Sequence, residues 1–115
     1  MKRIILEMGT GNDLYGEDYT KAACRAVDDA LHHSSLILFR SLRFDHADMD
    51  VRVTVAVHDP EKVDTEKVAA ILPYGQGSVR AFHGGLDVPK PDGGVTVIAN
   101  AAVVVYLDLE PAGAA

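Results

Sequence analysis

The chain lacks the side chains that usually announce a function. It has no tryptophan, a single cysteine, and only 6% aromatic residues. The lone Cys24 excludes an internal disulfide and a multi-cysteine zinc site, and a single thiol suits a reducing compartment as a small core residue. Basic residues are scarce: 11 Lys and Arg stand against 17 Asp and Glu, for a formal charge of −6. Nucleic-acid phosphates require clustered Lys and Arg, so a nucleic-acid partner is not expected. Long apolar runs are also missing. Ile4-Ile5-Leu6 stops at Glu7, far short of the ~7–15 residues of a signal-peptide core. Val95 to Leu107 is interrupted by Asn100 and is shorter than the ~20 residues of a membrane-spanning helix. These absences predict a cytoplasmic protein with no membrane partner.

What is present is a valine- and alanine-rich chain of 115 residues, the size of one domain. Arg3 to Met8 reads as a short buried strand, followed by a glycine-rich acidic loop from Glu7 to Asp18. From Asp18, whose side chain suits an N-cap, Ala22, Ala23, Ala26, Val27, Ala30 and Leu31 recur at helical spacing to about His33. The alanine face lets this helix lie close to whatever it covers, so enlarging Ala26 should be costly. Ser34-Ser35 ends the helix, and Leu36 to Phe39 reads as a short strand or a buried extended segment. Val51 to Val57 alternates with a period of two, as a strand with one face in the core.

Asp64 caps a second helix, with Val63 and Val68 placed for a hydrophobic staple. Pro73 stops it. Ser78 to His83 is a further strand with Val79 and Ala81 on one face. Asp87 to Gly94, rich in proline and glycine, is expected to be a loop long enough to act as a flap. Val95 to Leu107 is a strand apolar on both faces. The expected fold is therefore α+β: one mixed or antiparallel sheet, both helices on one face, in the order β-α-β-β-α-β-β. Residues 1–109 form the domain, and 110–115 a disordered tail. The apolar second face of the last strand predicts that another copy covers it, giving a homo-oligomer, a dimer or trimer.

The glycine-rich stretch carries the strongest candidate site. Gly9 and Gly11 remove side chains where the backbone can approach a ligand. The dinucleotide fingerprint needs glycine where Leu14 stands, and a phosphate loop needs Gly-Lys-Ser/Thr where the chain has Gly16-Glu17-Asp18. Asp13, Glu17 and Asp18 also oppose an anion at the helix N-terminus. Two readings stand: a pocket wall for a small polar metabolite, or a tight turn whose carboxylates cap the helix.

Lys21, one turn inside the helix, is either solvated or a base able to activate Ser34, Ser35 or Ser78. His32, His33, His46, His58 and His83 show no helical zinc spacing, and Asp45 to Asp50 lacks the glycine and glutamate of a calcium loop, so neither a metal nor another cofactor is expected. Asn100, an amide within an apolar strand, costs on the order of 1–3 kcal/mol if buried without partners. It therefore pins a bulge or faces a site.

Gly9-Thr10-Gly11-Asn12-Asp13-Leu14-Tyr15-Gly16 resembles the GxGxDxHG signature of the Lin-type conserved hypothetical protein family. The similarity continues through Thr20-Lys21-Ala22-Ala23, Asp29 to His33 with Ser35, Val63-Asp64 with Lys67-Val68, Pro73 to Gln76, and Asn100-Ala101-Ala102. The chain departs at Tyr15, where the family has histidine. The resemblance implies no particular activity, and it points to Gly9, Gly11, Asp13 and Gly16. The layout is also similar to one repeat of the ring-opening amidohydrolases, the cyanuric acid hydrolase and barbiturase group, although their serine and lysine motifs do not match here. Together these residues frame an expectation of a small-molecule site, with Asp13 and Lys21 as acid–base candidates and Gly9, Gly11, Tyr15, Gly16 and Asn100 as ligand contacts. Hydrolysis of a small cyclic amide-like metabolite is one outcome. Non-catalytic binding or a structural role is the other.

Overall fold

In a computed structural model, residues 2–32, 50–72 and 76–107 are described. β1 runs Lys2–Asp13, α1 Tyr19–Leu31, β2 Asp50–Val57, α2 Thr65–Ala70, β3 Gln76–His83, β4 Leu86–Pro89 and β5 Val95–Leu107, with a 3₁₀ turn at Pro60–Lys62. The fold is α+β. Five strands form one mixed sheet in the order β1-β5-β2-β3, with β4 pairing the first part of β5 beyond the end of β2. Among the described strands β2 and β3 pair in parallel and the other pairs are antiparallel.

Both helices lie on one face of the sheet. The period-two pattern of β2 places Val51, Val53, Val55 and Val57 in the core, and β5 adds Val97, Ala99, Ala101, Val103 and Val105. Ala22, Ala23, Ala26, Val27 and Ala30 of α1 close over them. The expected caps are present: the Asp18 carboxylate accepts from Lys21 N at 3.0 Å, and Asp64 accepts from Glu66 N and Lys67 N. Val63 and Val68 are both buried at the start of α2, as a staple requires. Thr20 joins the two helices, its hydroxyl accepting from Asp64 N at 2.8 Å.

Three expectations change. The first strand does not end at Met8. It continues to Asp13 because every residue from Ile5 to Asp13 has a partner on β5, so Gly9 and Gly11 belong to a strand and only Leu14 to Asp18 form the connection. Second, Asp87 to Gly94 is no flap: Leu86–Pro89 is a strand, and Lys90 N donates to Gly94 O at 3.0 Å across a tight turn. Third, α1 ends at Leu31. The expected segment Leu36–Phe39, Ser34-Ser35, the stop at Pro73 and the tail 110–115 lie outside the described residues. No helix among the described residues is long and apolar enough to cross a membrane.

Candidate functional site

The glycines of β1 are explained by the alanines of α1. A β-carbon at Gly9 would stand 2.3 Å from Ala26 O, and one at Gly11 would stand 2.3 Å from Ala26 N. The helix axis therefore lies almost on the strand, with nothing but backbone between them. Its Asp29 carboxylate also accepts from Thr10 N at 2.9 Å, satisfying a donor on this edge strand.

Asp13 ends the strand and is 5% exposed. Its Oδ2 accepts from Asp18 N at 3.0 Å, and its Oδ1 lies 3.7 Å from Nη1 of Arg25. Arg25 also donates to Asn12 O at 2.7 Å. One carboxylate thus fixes the turn, the start of α1 and the strand end together. Gly16 passes over it so closely that a β-carbon would stand 2.6 Å from Asp13 Oδ2. Gly9, Gly11, Asp13 and Gly16 form a single joint between β1 and α1.

The connection is tied to the β4–β5 hairpin. Glu17, the non-glycine residue with positive φ (52°) among those described, accepts through Oε1 from Val95 N at 2.8 Å. Lys90 Nζ donates to Leu14 O at 3.1 Å and lies 5.1 Å from the centre of the Tyr15 ring. Behind the hairpin, the Tyr19 hydroxyl donates to Asp87 Oδ2. That hydrogen bond first, then burial and the nearby carboxylates, push the Tyr19 pKa up to about 12. The other oxygen, Asp87 Oδ1, is buried without a partner among the described residues. Burial pushes the Cys24 thiol up, helped by Asp18 and Asp64 and opposed by Lys67. That shift disfavours the thiolate a cysteine nucleophile needs.

The opposite face of the sheet is different. Three rows of side chains cross it: Thr10, Asn100, Ala56 and Phe82; then Met8, Ala102, Thr54 and Arg80; then Leu6, Val104, Arg52 and Ser78. Leu6, Met8 and Phe82 are exposed on it, Met8 at 67%, and Leu86 and Val88 of β4 extend the same apolar surface. Two depressions adjoin at Thr54. One of about 300 Å³ is lined by Met8, Gly9, Ala56, Asn100 and Ala102. The other, of about 390 Å³, is lined by Arg52, Ser78, Arg80, Phe82 and Tyr106. Arg52 is held in place by Asp50, with Nη2 to Oδ2 at 2.9 Å, and its guanidinium lies 4.2 Å from the Tyr106 ring centre.

The structure thus divides the expected site residues. Asp13, Gly16 and Gly11 meet at the strand–helix joint. Gly9 belongs to the same joint, its missing side chain facing α1, and only its backbone borders the depression on the outer sheet face, where Asn100 is exposed and so carries no burial cost. Tyr15 is 84% exposed beside Lys90. Lys21 is on the solvent side of α1, lining a groove with Cys24, Arg25, Asp28 and Ile71. Among the described residues Asp13 is not part of the groove that Lys21 lines. The outer-face arginines were not singled out from the sequence. Their signal was the period-two spacing of Arg52 and Thr54, and of Ser78, Arg80 and Phe82, which puts each set on one face.

The family model for a conserved hypothetical protein (Lin0512_fam) matches residues 3–105. Among solved structures the chain is similar to a protein from Nostoc punctiforme PCC 73102, described as FtsZ-like and of unknown function. The two are 35% identical over 93% of this chain and 97% of that one, with a TM-score of 0.78. No curated protein matches.

Proposed function

The chain belongs to the Lin0512_fam family of conserved hypothetical proteins, and from that premise we propose that it is a homo-oligomeric metabolite-binding protein in which the outer sheet face meets a second copy and encloses a small polar molecule beside Asn100. The carrying observation is a sheet face on which no described element packs, with Leu6, Met8, Phe82, Leu86 and Val88 exposed on it and an exposed amide beside a depression. A two-layer α+β domain leaves one sheet face to solvent, and an apolar one of this kind is characteristic of an interaction surface. A second copy is the partner always available, and a two-fold axis lets one patch serve both sides.

Asn100 supplies both an amide N–H and a carbonyl. A cyclic amide, with a donor and an acceptor side by side, pairs with it through two hydrogen bonds. Binding is favoured over acid–base catalysis because the Asp13 carboxylate is already engaged by Asp18 N and Arg25, and because Lys21 opens onto a separate groove.

Sedimentation velocity tests the assembly. The parent should sediment as a dimer or trimer, and Met8→Glu as a monomer with unchanged circular dichroism. A parent that remains monomeric at the highest soluble concentration removes the reading. For the ligand, uracil serves as a cyclic-amide probe: it should perturb amide resonances around Asn100 and Ala102, and Asn100→Ala should abolish the effect.

A further inference from the structure

We propose that the ligand of this face is an anion, recognised in the depression next to Asn100 by Arg80 and Arg52; the inference rests on the reading of the outer face as a metabolite site and names the chemical class of what binds there. Arg52 and Arg80 are one row apart on adjacent strands and on the same face, since Arg52 pairs with Ser78 and Thr54 with Arg80. Both line the same depression. Two guanidinium groups so placed repel one another unless negative charge lies between or beside them.

Their compensation is unequal. Arg52 has Asp50, bonded through Nε at 3.1 Å and Nη2 at 2.9 Å. Arg80 has no ion pair with a carboxylate among the described residues, and it is exposed. Among the described residues Glu61 lies with Arg80 along a second groove without forming an ion pair with it, so the two arginines of this depression share one bonded carboxylate, that of Asp50. An anion supplies the missing charge, and guanidinium geometry binds carboxylate or phosphate oxygens in pairs. The Tyr106 ring under Arg52 holds that guanidinium in one plane, so less freedom is lost when it binds. Ser78 and Thr54 add hydroxyls to the same wall.

The adjoining depressions give the ligand its outline. Asn100 and Arg80 are two strands and one row apart, a Cα separation of about 12 Å from ordinary sheet spacings. An arginine reaching inward over Thr54 and a single ring resting on Ala56 and Ala102 fill that span. The ligand is therefore a small cyclic amide carrying a carboxylate or phosphate group, with the ring at Asn100 and the charge at Arg80.

The test compares orotate, a cyclic amide with a carboxylate, with uracil, the same ring without it, and with inorganic phosphate, by chemical-shift titration of the full chain. Orotate should bind at least tenfold more tightly than uracil and phosphate should compete with it, the perturbations centring on Thr54, Ser78 and Arg80. Arg80→Ala should erase the preference for orotate, and Arg80→Lys should restore part of it. If orotate and uracil bind alike, if neither orotate nor phosphate perturbs this wall, or if Arg80→Ala keeps the preference, the anion assignment is wrong. Sedimentation of the same samples separates the two claims: a monomer that prefers orotate refutes the assembly alone, while an oligomer that binds uracil but not orotate or phosphate refutes the anion alone.

Discussion

Gly11 on β1 and Ala26 on α1 approach until no side chain fits between them, with a β-carbon at position 11 landing 2.3 Å from Ala26 N. The obstacle is the backbone of a helix, which cannot step aside like a rotamer. Gly11→Ala and Gly9→Ala should each destabilise the fold by about 3 kcal/mol or more, at or beyond the upper end of ordinary overpacking. Gly77→Ala provides the comparison. Its β-carbon would also meet an atom at 2.3 Å, but that atom is Cδ1 of Leu72, the far end of a flexible side chain, and the expected loss is under about 1 kcal/mol. Urea unfolding of the three variants checks the contrast, and equal losses would show that the close approach of β1 and α1 matters little.

This contact also explains what the sequence disclosed and what it hid. The alanine face of α1, the Asp18 and Asp64 caps and the period-two valines of β2 are local patterns, and local patterns are readable without tertiary information. Gly9 and Gly11 are not local in that sense. Glycine serves both turns and close backbone approach, and the choice was made by β5, which pairs as far as Asp13, and by Ala26. The small residues on the helix were themselves half of the evidence, because a bare helix face requires a bare strand opposite. The β4 hairpin was concealed by Pro89 and Pro91, which mark a loop in sequence but occupy a strand end and a turn here. Arg52 and Arg80 lie far apart in the sequence, and only the register of β2 and β3 places them side by side.

Asp13 should behave as a joint and not as a catalytic acid. Asp13→Ala strands Asp18 N and leaves Arg25 without its carboxylate. The expected loss is about 2–4 kcal/mol, combining a hydrogen bond to a charged acceptor with an unsatisfied donor. Asp13→Asn keeps an oxygen able to accept from Asp18 N but removes the charge facing Arg25. It should lose less, about 1–2 kcal/mol, given the exposure of the arginine. Chemical denaturation measures both. If the alanine variant is as stable as the parent, the carboxylate is free for another task and the structural account of the signature fails.

Tyr19 gives the fold an alkaline limit. Its hydroxyl donates to Asp87 and its pKa is pushed up to about 12, above the ordinary value of 10.0 from which the unfolded chain titrates. Folding therefore favours the protonated phenol. The stability that this preference contributes is complete below pH 10 and disappears as pH rises from 10 toward about 12. A tyrosinate absorbance titration should show a step near pH 12, and Tyr19→Phe should remove that step. The phenylalanine variant leaves Asp87 without its donor, so it should be less stable than the parent at neutral pH by about 1–3 kcal/mol. That gap should narrow above pH 10, because the parent is then losing the interaction the variant never had. A constant gap across the alkaline range would mean that Tyr19 ionises as freely folded as unfolded, and that its hydroxyl does not hold the hairpin to the start of α1.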